Sequence, residues 1–66
     1  MKNSIKVERA RHNMTQQDLA ESVGVSRQTI NSIEAGKYVP STVLALKIAR
    51  RFQIALEEIF QLEEND

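Results

Sequence analysis

Sixty-six residues with no cysteine, 27% charged and only 5% aromatic, make one small domain that has no disulfide framework and no thiolate metal site. A chain this short buries only about 60% of its unfolded surface, so pairing with a second copy is the expected source of added stability. The lone His12 cannot build a metal site, the longest apolar run is Val43 to Leu46, and no hydrophobic segment follows Met1-Lys2-Asn3-Ser4. A cytoplasmic protein without membrane segment, metal or cofactor is expected.

Net charge is zero, yet the charges are polarised. The first 51 residues hold all nine Lys and Arg with four acids, a balance of +5, whereas residues 52–66 hold five acids and no base. One end can face phosphate while the other is repelled from it. By itself this counts for little, because acidic C-termini are common solvated tails.

Residues Asn3 to His12 read as a first helix, capped by Ser4 or Asn3, with Ile5, Arg9 and His12 on one face and Val7 and Ala10 beside them. An inward Arg9 needs a carboxylate partner, because an uncompensated buried charge is costly. Asn13, which tolerates the left-handed conformation, stops the helix, and Met14 re-enters the core. Thr15 caps a second helix, and Asp18 three residues on completes a capping box with a shorter acid than usual. Its inner face is Leu19, Ala20 and Val23; Gln16, Gln17, Glu21 and Ser22 face out. Gly24 permits the positive φ that begins a tight turn.

Val25 fills the corner and Ser26 caps a third helix from Arg27 to Glu34, with Ile30 and Ile33 inward. Arg27, Gln28, Thr29, Asn31 and Ser32 are left outside, and such side chains hydrogen-bond to base edges and phosphates. Ala35-Gly36 ends this helix, and Lys37-Tyr38-Val39 forms a loop that Pro40 closes. Thr15 to Gly36 therefore has the pattern of a helix-turn-helix that reads DNA.

Ser41 or Thr42 caps a fourth helix whose inner stripe is Leu44, Ala45, Ile48, Ala49 and Phe52. Leu46 falls outside that stripe, with Val43, Lys47 and Arg50. After Gln53-Ile54, the stretch Leu56 to Phe60 reads as a short helix behind a poor cap, Ala55. Phe60 to Glu63 alternates apolar and polar like a strand, and its only mate is Lys2 to Ile5; such a pair needs packing on the bundle. Glu57-Glu58 offers no acid/base pair, since adjacent helical side chains diverge by about 100°. No enzyme is expected.

The segments Met-Thr-Gln-Gln-Asp-Leu-Ala at 14–20, Val-Gly-Val-Ser-Arg-Gln-Thr-Ile at 23–30, Ile-Glu-Ala-Gly at 33–36 and Pro-Ser-Thr-Val-Leu-Ala-Leu-Lys-Ile-Ala at 40–49 resemble the lambda-repressor-like helix-turn-helix proteins. The likeness is to their small stand-alone regulators of the xenobiotic-response-element type, and it covers Ile5 to about Leu62. It implies an all-α, five-helix DNA-binding domain over residues 1–66, with helix 27–34 in the major groove. It pairs Arg9 with Glu34, makes Gln16 a phosphate contact and Gln28 the principal base reader, and leaves Arg27 to touch base or phosphate. Gln, Ala and Ala at positions 53, 55 and 35 depart from the family's usual Gly, Ser or Pro, and Asn; the first two bear on the loop before the last helix.

The expected DNA-facing set is Gln16, Gln17, Ser26, Arg27, Gln28, Thr29, Asn31, Ser32, Lys37 and Tyr38. A dimer surface within residues 46–62, joined by Val39, is expected from Val39, Leu46, Arg50, Leu56, Ile59 and Phe60; the competing reading has the apolar ones close the monomer's core. The resemblance implies a homodimeric transcriptional regulator, most often a repressor, on an inverted-repeat operator of double-stranded DNA, with no small-molecule ligand. A DNA-binding antitoxin and a protein-interaction module on the same fold are the alternatives.

Overall fold

The computed structural model describes residues 1–66 as β1 (Lys2–Asn3), α1 (Ile5–Arg11), α2 (Gln16–Val23), α3 (Arg27–Glu34), α4 (Thr42–Phe52), α5 (Leu56–Ile59) and β2 (Phe60–Gln61). Five helices and a two-stranded antiparallel sheet agree with the expected class. The sheet pairs Lys2 with Gln61 and Asn3 with Phe60. Ser4 N–H extends the pairing by donating to Ile59 O at 2.9 Å. The Met1 ammonium adds contacts of 3.1 Å to Glu63 and 2.9 Å to Asp66.

Local chemistry sets the helix ends. Thr15 Oγ1 accepts the Asp18 N–H at 2.9 Å while Asp18 Oδ2 accepts the Thr15 N–H at 3.0 Å, a complete capping box at the head of α2. Ser26 Oγ accepts the Thr29 N–H, and Ser41 rather than Thr42 caps α4 by accepting the Leu44 N–H, both at 3.1 Å. At α1, Ser4 occupies the cap position but makes no side-chain cap bond. Asn3 Oδ1 takes the Ile5 N–H at 3.2 Å instead, and Asn3 Nδ2 donates to Ile33 O at 2.8 Å, tying the first strand to α3. Helix α1 thus starts at Ile5, because Asn3 is already in the sheet.

Helices α2 and α4 end in left-handed residues, Gly24 at φ 78° and Gln53 at φ 58°. Asn13, at φ 53°, makes the expected turn after α1. Gln53 therefore keeps the backbone conformation for which glycine is the usual choice, and α5 follows despite the uncapped Ala55.

One core joins all five helices. Ile5, Leu19, Ile30, Ile33, Ile48 and Ile59 are fully buried, and Ala20, also at 0% exposure, leaves room for α2 and α3 to cross closely. Three expectations change. Val7 is 51% exposed and Ala10 is exposed; the buried residue between them is Glu8, whose carboxylate accepts from Arg11 Nη1 at 2.9 Å. His12 stacks at a tilt on Phe52, ring centroids 5.2 Å apart, while remaining exposed at the helix end. Ile59 and Phe60, expected on a dimer surface, are 0% and 7% exposed and close the monomer's own core. The reason is the sheet: β2 turns the chain back along β1, so the end of α5 is folded under.

Candidate nucleic-acid interface

The turn Val23-Gly24-Val25 sets α3 across α2 with Ile30 and Ile33 inward, so the opposite face of α3 must be solvated. Arg27, Gln28 and Asn31 are exposed there, and Thr29 and Ser32 are half-buried on its flank. Lys37 and Tyr38, in the loop after Gly36, come round to the same side. Ser26, Gln28, Thr29, Ser32, Lys37 and Tyr38 together line one shallow depression that contains no carboxylate. Such a surface carries donors and acceptors for base edges and one cation for phosphate.

Not every expected side chain is equally available. Ser26 Oγ and Thr29 Oγ1 lie 2.9 Å apart and are engaged with each other and with the cap. Gln17 Nε2 donates along its own helix to Glu21 Oε2 at 2.8 Å. Gln16 sits at the head of α2, where helix N-termini favour anions. Its Nε2 is already shared between Asn31 Oδ1 and Glu34 Oε1, each at 3.2 Å. Sequence spacing carried no sign of that link, because it joins two helices through side-chain torsions.

Beneath the face, Arg9 reaches Glu34 from α1. Arg9 Nε donates to Glu34 Oε2 at 2.6 Å and Nη2 to Oε1 at 3.1 Å, while Nη1 bonds the Met14 carbonyl at 3.0 Å. The two side chains are 14% and 9% exposed. Hydrogen bonding to Glu34 raises the guanidinium pKa against the opposing effect of burial. At the α2 cap, the Thr15 backbone N–H and then its hydroxyl hold the Asp18 carboxyl below its usual pKa.

The helix-turn-helix family pattern matches residues 5–59, more than four-fifths of the chain. An uncharacterized HTH-type transcriptional regulator of Methanocaldococcus jannaschii is 56% identical over 66 residues, with all of both chains covered. This chain belongs to the helix-turn-helix family. It is a family of transcriptional regulators with a DNA-binding fold, not of enzymes. Among solved structures, the restriction-modification controller protein C.AhdI of Aeromonas hydrophila superposes with a TM-score of 0.78 at 28% identity, covering 85% of each chain. The SOS-response transcriptional repressor LexA of Eubacterium rectale gives a TM-score of 0.79 at 26% identity, covering 94% of this chain and 66% of that one. In this helix-turn-helix chain Gly24 separates α2 from α3, Arg27 opens α3, and no helix is long and apolar enough to cross a membrane.

The remaining expected site residues are those expected on a dimer surface. Val39 and Leu46 are 59% and 51% exposed, Arg50 is exposed, and Leu56 is half-buried against the core. Val43, at 62%, joins them on the outer strip of α4.

Proposed function

We propose that the chain is a homodimeric regulator of transcription that lays α3 in the major groove of an inverted-repeat operator and represses by occupying it. It would do so in the cytoplasm as a single DNA-binding domain over residues 1–66, with residues 15–36 as the motif. The observation that carries this reading is the carboxylate-free depression along α3, lined in part by Gln28, with Arg27 and Asn31 also exposed on that helix. A protein-interaction face would be apolar or acidic, and this one is neither. In the proposal Gln28 and Arg27 read bases, since Gln suits adenine N6 and N7 and Arg suits guanine O6 and N7. Lys37 and the head of α2 at Gln16 and Gln17 take the phosphates on either side, with Ser26, Thr29, Ser32 and Tyr38 lining the contact. The solved relatives, a restriction-modification controller protein and an SOS-response transcriptional repressor, support control of transcription.

A second copy would pair through Val39, Val43, Leu46 and Arg50, with Leu56 at the edge, inside the 46–62 region and its flank. Two recognition helices would then stand one turn of DNA apart, about 34–36 Å. One α3 of eight residues offers few contacts by itself. Selection of bound duplexes from a random pool tests both parts. The expected result is a twofold-related pair of half-sites with centres about 10 base pairs apart. Enrichment of a single unpaired half-site would remove the dimer, and no enrichment would remove the DNA-reading assignment.

A further inference from the structure

Glu34 anchors a linked set of four side chains with Arg9, Gln16 and Asn31. Its Oε2 accepts from Arg9 Nε, and its Oε1 accepts from both Arg9 Nη2 at 3.1 Å and Gln16 Nε2 at 3.2 Å. A carboxylate beside a guanidinium accepts only, so the amide of Gln16 has to turn its NH2 inward. The second hydrogen of that NH2 goes to Asn31 Oδ1 at 3.2 Å. Both donors of Gln16 are thereby used inside the protein. The polarity passes one residue further, because Asn31 with Oδ1 engaged keeps its Nδ2 outward, on a residue exposed at the junction of α2 and α3.

We propose that Glu34, through Gln16, fixes Asn31 as a donor-only contact, and that Asn31 Nδ2 rather than the Gln16 side chain meets a hydrogen-bond acceptor on the DNA. This rests on α3 facing DNA. Gln16 is then a positioning residue, and what it would otherwise touch is approached by the α2 backbone and by Asn31. The chemistry named is an acceptor: a phosphate oxygen, or a base edge such as guanine O6 and N7. Adenine, which asks for a donor and an acceptor together, is disfavoured at Asn31, whose Oδ1 is turned toward Gln16.

Binding of the full chain to its selected duplex and to a random duplex, with Asn31→Ala, Asn31→Asp, Gln16→Met and Gln16→Met/Asn31→Ala, tests this while thermal melting monitors the fold. Asn31→Ala is expected to lose about 2- to 12-fold in affinity, the worth of one net hydrogen bond. Asn31→Asp is expected to lose more, because it turns an acceptor toward an acceptor. The double variant is expected to bind no worse than Asn31→Ala alone, since Gln16 acts through Asn31. Equal losses on both duplexes assign the acceptor to phosphate, and losses confined to the selected duplex assign it to a base edge. Losses that multiply in the double variant, or Asn31→Asp binding as well as Asn31→Ala, overturn the proposal. Gln28→Ala is the control: its failure to alter selected binding would undo the DNA-facing assignment itself, whereas an effect at Gln28 without one at Asn31 removes only the relay.

Discussion

Arg9 and Glu34, twenty-five residues apart in sequence, meet in a two-point ion pair that joins α1 to the last turn of α3. The Met14 carbonyl completes the Arg9 shell, and Gln16 shares the Glu34 carboxylate, so both charges keep partners as they leave water. The pair orients α3 as well as anchoring it.

Truncating Arg9 leaves the Glu34 carboxylate without its cation at 9% exposure. Arg9→Ala is expected to cost about 3 kcal/mol, the lower end for a broken buried pair, because Gln16 still donates to the carboxylate. In a domain of this size that lowers the melting temperature by roughly 12–24 °C. An unchanged melting temperature would show that the pair contributes nothing to stability.

Acid should loosen the head of α2. Folding lowers the Asp18 pKa, so the capping box is at full strength above the usual carboxylate range and fades as pH falls through the lowered value, below about pH 4. Asp18→Asn is expected to flatten that part of the stability profile relative to the parent chain. Parallel profiles for the two proteins would remove Asp18 from the acid response.

Gln53 holds a left-handed conformation at φ 58° with an exposed side chain. A residue with a Cβ gives up about 1–2 kcal/mol there, and the looser unfolded chain of glycine returns roughly 0.5–1 of it. The net of roughly 0–1.5 kcal/mol means that Gln53→Gly is expected to raise the melting temperature by up to about 12 °C. A lower melting temperature would mean that the Gln53 side chain stabilises the α4–α5 corner more than its backbone strains it.

In the proposed complex the contacts of α3 and the loop after it divide between bases and phosphates. Gln28→Ala is expected to cost about 1–3 kcal/mol of discrimination at one base pair per half-site while leaving random-duplex binding nearly unchanged. Lys37→Ala is expected to weaken both duplexes alike and to reduce the salt slope of binding by about 1. Competition titrations over a salt series separate the two, and matching profiles for both variants would erase the division.

Leu46→Asp places a charge on a side chain that is 51% exposed and outside the core stripe. The monomer is expected to keep its fold, while sedimentation shows one copy and operator affinity falls. A persistent dimer would move the pairing surface off α4. Leu56 is a poorer probe, because it also packs against the core and its loss would mix folding with association.

The element order and the ends of α2, α3 and α4 were legible from residue order, because caps and 3.6-residue periodicity act over a few residues. Thr15 with Asp18, Ser26, Gly24 and the Ile30–Ile33 pair define α2, the turn and α3 without reference to anything distant. The resemblance supplied the partner of Arg9, which local pattern leaves open. Tertiary structure decided which faces remain free. Ile59 and Phe60 look like unsatisfied surface until β2 folds them under β1; Val7 looks like core until Glu8 takes the inward place. Gln16 reads as an unengaged side chain at a helix head until α3 brings Glu34 and Asn31 to its amide. Periodicity locates an apolar or polar stripe on one element, but exposure and hydrogen-bond polarity depend on which distant atoms arrive opposite it. Those are set only when the helices close on one another.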